Sequence, residues 1–316
     1  MHAAVLHAYG EAPVCEPFEE PVAGPGQVVV EVTAAGVNPV DVRKASGTFV
    51  SGPPPLPSVV GSEGVGRVAG DGRRVYFGSS VAPFGAFAER TLVGQEEPIE
   101  LPDELDDGVA VALGVSGLAA WLPLAWRARL RPGETVLVLG ATGIVGRLAV
   151  QAARLLGAGR VVAAGRDAAM LERARELGAD ATVNLGEVEP GEPLTEAFRE
   201  AAGGDVDVVH DPLWGAPAAA AVEALAVDGR LVQLGQSAGA QATLGSASIR
   251  GRHLNVLGYM NYVVPPDVRR DAYRALVEHA VAGRLAVEVE RMALAQVGEA
   301  WERVQRSAHR KLVLVP

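Results

Sequence analysis

The stretch from Glu134 to Arg166 constrains the fold more than any other part of this 316-residue chain. Six residues of strand type, Glu134 to Leu139, precede three glycines in the spacing G-x-x-G-x-x-G, at 140, 143 and 146. A helical pattern follows, and a second apolar run, Arg160 to Ala164, closes the unit. Strand, tight turn, helix and strand in this order predict one βαβ unit of a parallel sheet.

The glycines at this turn favour a phosphate ligand. Without a Cβ, the backbone can turn sharply and approach a pyrophosphate, and the N–H groups that begin the helix favour its negative charge. The pattern carries weight because it lies between a strand and a helix. An α/β turn with packing glycines and no ligand is the alternative. We predict dinucleotide binding along Gly140, Ala141, Thr142, Gly143, Ile144, Val145 and Gly146.

The residues after the second strand bear on which dinucleotide binds. NAD-binding units usually place Asp or Glu near this point, whereas a 2′-phosphate requires a cation. The chain has Gly165 and Arg166 here, and a planar guanidinium suits a phosphate dianion. This favours NADPH as the cofactor. Asp167 leaves NADH open, because its carboxylate would serve a ribose if it turned inward, and a solvated Arg166 is a third possibility.

Composition excludes several classes of protein. The net charge is −10 and no run of Lys or Arg occurs, so nucleic acid is not an expected partner. Cys15 is the only cysteine, which excludes an internal disulfide and a cysteine-rich zinc site. The N-terminus lacks the pattern of a signal peptide, and the longest apolar run, Ala216 to Val227, is broken by Pro217 and Glu223. We expect a cytoplasmic protein with no membrane partner.

The periodicity of the chain changes twice. Residues 1–112 contain short apolar or β-branched runs separated by Gly and Pro, which predicts a barrel or sandwich. From 113 to 262 helices alternate with strands, which predicts a doubly wound parallel sheet. That region opens with a helix over Val115 to Arg129, includes another over Ala216 to Ala226, and ends in an edge strand, Leu254 to Met260.

The tail, 263–316, does not continue the alternation. It reads as helix, strand, helix, strand, with the last strand at Lys311 to Val315. We expect it to return to the first domain. The predicted domains are therefore 1–112 with 263–316, which forms a discontinuous β-rich domain, and 113–262.

Several ordered motifs resemble the medium-chain dehydrogenase/reductase superfamily, in its zinc-free quinone oxidoreductase (zeta-crystallin-like) branch. The resemblance covers nearly the whole chain. It implies a GroES-like substrate domain and a Rossmann domain with the active site in the cleft between them. The motifs are AAGVNPVDVRKASG at 34–47, PLPSVVGSEGVGRV at 55–68, LGVSGLAAW at 113–121, RPGETVLVLGATGIVG at 131–146, DGRLVQLG at 228–235 and RKLVLVP at 310–316.

Two substitutions imply that the chain binds no metal. Zinc-dependent members of the superfamily have Cys where this chain has Asn38 and His where it has Ser62, and Asn and Ser do not replace such ligands. Glu63 remains beside Ser62, but a single carboxylate does not make a site. We expect Glu63 to pair within the barrel.

The remaining candidates are assigned by position. Asn38, the catalytic and substrate-binding candidate, would donate a hydrogen bond to a carbonyl or the nicotinamide, or be a turn residue before Pro39. Ser116 would contact the cofactor or cap a helix. Gly235, Gln236 and Ser237 follow a strand end, where ligands bind in open α/β sheets. Tyr259 and Tyr262 would line the substrate cleft, or belong to a core or dimer interface. His210 is expected to be buried and hydrogen-bonded.

These assignments imply an NADPH-dependent, zinc-independent oxidoreductase that reduces a quinone or an α,β-unsaturated carbonyl. Departures from the family pattern at Arg43 and Ala119 keep open an NADPH-binding sensor or structural protein without turnover. An unpaired edge strand at Leu254 to Met260 would be a liability, and pairing with a two-fold mate would cover it. We therefore also expect a homodimer.

Overall fold

The computed structural model describes residues 1–50, 52–306 and 309–316. The chain divides into two compact units, of which unit 1 is Met1–Val115 with Tyr273–Pro316 and unit 2 is Ser116–Ala272. The first predicted boundary, 112/113, lies close to the division after Val115. The second, 262/263, lies before the division after Ala272. Unit 1 is thus built from two separate pieces of chain.

The first piece of unit 1 is β-rich, as predicted. β3 is its longest strand and pairs antiparallel with both β5 and β7. The buried Phe77 and Phe87 belong to the core of this unit. The strands are β1 (His2–Leu6), β2 (Val14–Pro17), β3 (Gln27–Gly36), β4 (Ser58–Val59), β5 (Gly64–Val68), β6 (Arg74–Phe77), β7 (Arg90–Gly94) and β8 (Ile99–Glu100).

A short helix, α1 (Pro39–Ala45), follows β3 and was not predicted. Pro39 is at its first position, where the fixed φ of proline suits a helix and the missing N–H has no cost. The carboxylate of Asp41 accepts a hydrogen bond from the Asn38 N–H at 2.8 Å, which ties the start of the helix to its first turn. This helix fixes the positions of the polar side chains at 38, 41 and 44, which are discussed below.

Unit 2 is a doubly wound sheet. Its six strands run in the order β11-β10-β9-β12-β13-β14, and every pairing is parallel. The predicted Rossmann architecture is confirmed, with β14 as the edge strand. The helical run α2 (Asp107–Ala128) begins in unit 1 and continues into unit 2 after Val115. The other elements of unit 2 are β9 (Thr135–Leu139), α3 (Ile144–Leu155), β10 (Arg160–Gly165), α4 (Ala168–Glu176), β11 (Ala181–Asn184), α5 (Glu192–Ala202), β12 (Val206–Asp211), α6 (Gly215–Glu223), β13 (Leu225–Gln233), α7 (Ser246–Gly251) and β14 (Asn255–Gly258).

Two helix boundaries differ from the prediction. The helical run α2 begins at Asp107, where the Asp106 side chain caps it by accepting from the Val109 N–H at 3.1 Å, and it is kinked at Gly114, so the helix predicted from Val115 is the part that follows the kink. Helix α6 ends at Glu223 rather than Ala226, because Leu225 is already in a strand and pairs with Val206. Alanine-rich sequence favours a helix, but the sheet pairing prevails here.

The helix α2 is long and apolar enough to cross a membrane by length and composition. However, 78% of its most apolar window is buried inside the protein. Such burial is what the core helix of a globular protein shows.

The tail returns to unit 1. It forms α8 (Pro266–Val281), β15 (Val289–Ala293), α9 (Val297–Gln305) and β16 (Lys311–Val315). β16 pairs parallel with β15 and antiparallel with the end of β3, where Val313 faces Gly36. Trp301 of α9 and Leu314 of β16 are buried in the same core as Phe77. This pairing joins the end of the chain to the sheet formed by its first piece.

Candidate functional site

The segment between β9 and α3 forms a tight loop at the carboxyl end of a central strand. Gly140 has a φ of 64°, in the left-handed region where a side chain is strained. A Cβ on Gly146, in the first turn of α3, would collide with the Gly140 carbonyl oxygen. A Cβ on Gly143 would lie 3.6 Å from the same oxygen, which is an ordinary contact. The loop's own packing therefore requires glycine at 140 and 146 but not at 143.

The backbone N–H groups of this loop have different roles. Ala141 N–H donates to the Ala164 carbonyl at 2.9 Å and Gly143 N–H donates to the Gly140 carbonyl at 3.1 Å, so both are used within the fold. The N–H groups in the first turn of α3, at Ile144, Val145 and Gly146, have no acceptor within the helix. These three groups and the helix dipole are what the loop offers to an anion.

The end of β10 packs against this loop. A Cβ on Gly165 would collide with the methyl group of Thr142, so glycine is needed for the close approach. Arg166 is exposed and has no hydrogen bond or ion pair within the described residues. Asp167 begins α4, and its Oδ1 accepts from the Met170 N–H at 3.0 Å. The carboxylate that could have favoured NADH is thus engaged in a helix cap.

A third predicted segment follows β13. A Cβ on Gly235 would collide with the Pro212 carbonyl oxygen, and Ser237 donates to that oxygen through Oγ at 3.3 Å. Gln236 and Ser237 are exposed. Because β9, β10, β12 and β13 are parallel neighbours, all three predicted cofactor segments lie at the carboxyl edge of one sheet. Ligands bind at this edge in open α/β folds.

Asp211 holds the turn against which these segments pack. It is the last residue of β12, is fully buried, and accepts at Oδ1 from the N–H groups of Leu213 and Trp214, both at 2.8 Å. Burial raises the pKa of the Asp211 carboxyl to about 6, although both hydrogen bonds oppose that shift. The Pro212–Leu213 turn thereby stays beside Gly140 and Gly235.

Several of the other candidate residues in unit 2 form hydrogen bonds inside the unit. The Tyr259 hydroxyl lies 3.2 Å from the Leu118 carbonyl and 2.5 Å from Asn261 Oδ1, and burial raises its pKa. Tyr262 is partly buried in a short helical turn after β14. Ser116 lies inside the helical run α2, so it does not cap a helix. His210 is buried and hydrogen-bonded to the Ala119 carbonyl at 2.9 Å, as predicted, and burial lowers its pKa to about 4.

Unit 1 contains a buried polar network centred on Glu63. Its Oε1 is 2.9 Å from Lys311 Nζ and accepts from the Asn38 amide at 2.9 Å. Its Oε2 accepts from the Tyr76 hydroxyl at 3.1 Å and from the Val115 N–H at 2.6 Å. Glu63 is 0% exposed and Lys311 2% exposed. The prediction that Glu63 pairs within this domain is confirmed, and removing either charge would leave the other buried and unpaired, at about 3–5 kcal/mol.

Asn38 is fully engaged in this network. Its amide nitrogen donates to Glu63 and to the Gly36 carbonyl, at 2.9 Å each, and its oxygen accepts from Lys311 Nζ at 2.6 Å. Direct donation to a substrate carbonyl would require one of these bonds to break. The geometry therefore argues against the predicted catalytic contact and favours a positioning role for Asn38. It is more than a turn residue before Pro39.

A second polar chain lies beside the first. Lys44 Nζ donates to Ser62 Oγ at 2.8 Å, and Ser62 Oγ donates to Asp41 Oδ1 at 2.6 Å. Asp41 and Ser62 are buried, and Lys44 is half-buried. Burial raises the pKa of Asp41, and it lowers the pKa of Lys44 against the attraction of Asp41.

Sequence reasoning did not find Lys311, Lys44 or Asp41. A usable signal was present, because Lys44 and Lys311 are the only lysines in the chain and each lies in a motif of the family. The capping pattern Asn38-Pro39-x-Asp41 is a second signal. Among the described residues, no group of three or more His, Cys, Asp and Glu side chains could hold a metal ion.

Two family models match the chain. The alcohol dehydrogenase GroES-like domain matches residues 24–103, and the zinc-binding dehydrogenase model matches residues 145–280. The mouse quinone oxidoreductase-like protein 2 is 31% identical over 242 residues, which are 74% of this chain and 68% of that protein. This chain belongs to the medium-chain dehydrogenase/reductase superfamily, in its quinone oxidoreductase branch. Its two units are the GroES-like and Rossmann domains of that superfamily.

Two further relatives show how widely this module occurs. The quinone oxidoreductase of Thermus thermophilus, solved alone and with NADPH, has a TM-score of 0.81 and 30% identity, with 100% of each chain covered. A phenolphthiocerol/phthiocerol polyketide synthase of Mycobacterium tuberculosis is 34% identical over 271 residues. That match covers 83% of this chain but only 12% of the synthase. Members of the superfamily thus occur both as separate chains and within much longer ones.

Proposed function

We propose that this member of the superfamily is an NADPH-dependent, zinc-independent oxidoreductase that reduces a quinone or an α,β-unsaturated carbonyl. The observation that carries the proposal is the glycine loop at the carboxyl edge of the sheet, next to an exposed Arg166 and a capped Asp167. The glycine loop supplies N–H groups for a pyrophosphate. Arg166 offers a cation to the 2′ position of the adenosine, and the carboxylate of Asp167 is already committed to the helix cap.

Bound NADPH would supply a hydride to an electron-poor acceptor carbon. The chain's own residues would bind and orient: Ile144, Val145 and Gly146 at the pyrophosphate, Arg166 at the 2′-phosphate, and Gln236 and Ser237 at the same sheet edge. Gly143, which packing leaves free to carry a side chain, would be glycine so that the phosphates can approach. In unit 1 the Glu63 network would position Asn38 and α1. Quinone reduction is the activity that the names of the mouse and Thermus relatives indicate.

A direct assay tests this function. NADPH oxidation would be followed with 1,4-benzoquinone, 9,10-phenanthrenequinone, a short enone and ethanol, beside a calorimetric titration with NADPH. Turnover of a conjugated acceptor, with ethanol inert, is expected, because alcohol oxidation in this superfamily relies on zinc to stabilise the alkoxide. Tight NADPH binding with no turnover of any acceptor would favour a sensor or structural protein instead.

Replacing Arg166 tests the cofactor preference. A hydrogen bond to a charged group contributes about 1.5–3 kcal/mol, so Arg166→Ala should weaken NADPH binding about ten-fold or more and leave NADH nearly unchanged. Calorimetry with each dinucleotide measures this. The matched control is Arg250→Ala, an exposed arginine on α7. Equal affinity of the unaltered protein for the two cofactors would contradict the preference.

We also propose that the protein is a homodimer joined along β14. This strand is bonded to β13 on one side only, and Val256 and Met260 on and after it are each 38% exposed. A partly apolar sheet edge is a liability unless it is covered, and a two-fold mate is the commonest cover.

A further inference from the structure

Unit 1 has a pocket of about 190 Å³ into which the second polar chain faces. Lys44, Asp41 and Ser62 form part of its wall, and Pro54, Pro83 and Phe84 supply apolar surface. Ser80 also lines the pocket, and its Oγ is buried with no hydrogen-bond partner in the described ranges. A small apolar pocket with a few convergent polar groups is the usual form of a small-molecule site.

The geometry fixes Lys44 at this wall. Asp41 and Lys44 are one helical turn apart on α1, so their side chains lie on the same face. Asp41 is itself anchored, because Oδ2 accepts from the Asn38 N–H and Oδ1 accepts from Ser62. Ser62 in turn accepts from Lys44 Nζ. The ammonium group is therefore held by a fixed acceptor rather than left to move in solvent.

The charges around Lys44 suit a group that gives up a proton and regains it. Burial lowers its pKa, which makes the ammonium a stronger acid than a solvated lysine. The two carboxylates that act on it, Asp41 and Glu63, oppose that lowering of its pKa. Such tuning of a lysine towards neutral pH is a common feature of general acids.

We propose that Lys44 is the proton donor for the reduced acceptor, with Ser62 and Asp41 as its positioning residues. This rests on the proposed function. Once hydride has been added at the β-carbon of an enone, or at one carbonyl oxygen of a quinone, the conjugated carbonyl oxygen carries the negative charge. An N–H bond of the Lys44 ammonium breaks and an O–H bond forms on that oxygen. The neutral amine then regains a proton from water at the pocket mouth, and the product is the hydroquinone or the enol of the saturated ketone.

The proposal distinguishes two acceptor types. A hydroquinone anion resembles a phenolate, whose conjugate acid has a pKa near 10. It is stable enough to be protonated by water without a placed acid. An enolate is a far stronger base, so its formation depends more on a placed acid. Lys44 should therefore matter for a short enone and much less for 1,4-benzoquinone.

The test measures kcat/KM for both acceptors in the full-length protein and its Lys44 variants. General acid catalysis contributes about 10²–10⁴-fold, so Lys44→Met should lower enone reduction about a hundred-fold and benzoquinone reduction only a few-fold. The unaltered protein should lose enone activity as pH rises and Lys44 deprotonates, and this limb should be absent in Lys44→Met. The matched control is Arg43→Met, the exposed neighbour on α1.

Further variants separate proton donation from charge alone. Lys44→Arg keeps the cation but is too weak an acid to donate, so it should not restore enone reduction. Restoration by Lys44→Arg, equal losses with both acceptors, or no loss in Lys44→Met would each overturn the proton-donor assignment. So would an unaltered protein that reduces quinone but no enone. An unaltered protein that reduces neither acceptor would overturn the proposed function, and the assignment would fall with it.

Discussion

Asp211 is a carboxylate that folding removes from water without a compensating cation. It is fully buried, and its Oδ2 has no hydrogen-bond partner in the part of the chain that the structure describes. Desolvation is the main cause of its raised pKa, and only the two backbone N–H groups at Oδ1 oppose it. A carboxyl in this position binds a proton more readily in the folded state than in the unfolded state.

The stability of the protein should therefore depend on Asp211 in a defined pH window. The folded pKa of about 6 exceeds an unfolded value of about 3.9, so the stabilising contribution is complete below pH 4 and is lost as the pH rises through 6. The unfolding free energy of the unaltered protein minus that of Asp211→Asn should fall by about 3 kcal/mol between pH 3 and pH 8. Urea unfolding across this range measures it. Asp103→Asn, an exposed site, is the control, and a difference for Asp211 that does not vary with pH would contradict the prediction.

At the scale of elements, the β9–loop–α3 unit depends on two glycines for different reasons. Gly146→Ala should destabilise the protein and weaken NADPH binding together, because the new methyl group collides with the Gly140 carbonyl and separates the helix from the loop. Clashes of this kind cost about 1–3 kcal/mol. Thermal unfolding and calorimetric titration measure both effects.

Gly143→Ala is the matched variant. Its methyl group would lie 3.6 Å from the nearest atom, so no clash arises, and the loss of stability should be only that of alanine in place of glycine at a helix N-cap, about 0.5–1 kcal/mol. NADPH affinity should nevertheless fall, because the methyl group occupies space that the phosphates require. Equal losses of stability in Gly146→Ala and Gly143→Ala would contradict the predicted difference in packing between the two glycines.

The sequence predicts the elements of unit 2 better than those of unit 1. Strands such as β9 and β10 consist almost entirely of apolar residues and lie between turn residues, so their type is plain from composition. The strands β4 and β8 have only two residues each, too few to show an alternation. Helix α1 has seven residues, and its capping residues Asn38 and Asp41 are informative only when read together with Pro39.

The candidate site shows the same contrast. The dinucleotide loop could be predicted because its three glycines lie within seven consecutive residues and need no distant partner. The contacts of Lys311 with Asn38 and Glu63 join positions 273 and 248 residues apart, which no local pattern reveals. The internal hydrogen bonds of the Asn38 amide were therefore not part of the prediction for this residue. A long-range polar network becomes visible only when the fold brings its members together.

At the scale of the whole molecule, the proposed dimer depends on the exposed edge at β14. Val256→Asp should convert a dimer into monomers, because the charge lies at the edge that the two-fold mate would cover. Light scattering at micromolar concentration would show a mass near 32.7 kDa for the variant and twice that value for the unaltered protein. Val22→Asp, at an 82% exposed site in unit 1, is the matched control. A monomeric unaltered protein would contradict the proposed dimer.

The burial of Lys311 has a practical consequence for work with amine-directed reagents. The chain has only one other lysine, Lys44, which is half-buried and hydrogen-bonded to Ser62, so the surface cations are arginines. A lysine-to-lysine cross-linker would find no exposed pair and would register single chains whatever the assembly. Carbodiimide activation with an added dihydrazide, which supplies the nucleophile and links two carboxylates, suits this protein better, because the chain has 38 Asp and Glu residues. Conversely, an acylating reagent that enters the unit 1 pocket would mark Lys44 almost alone.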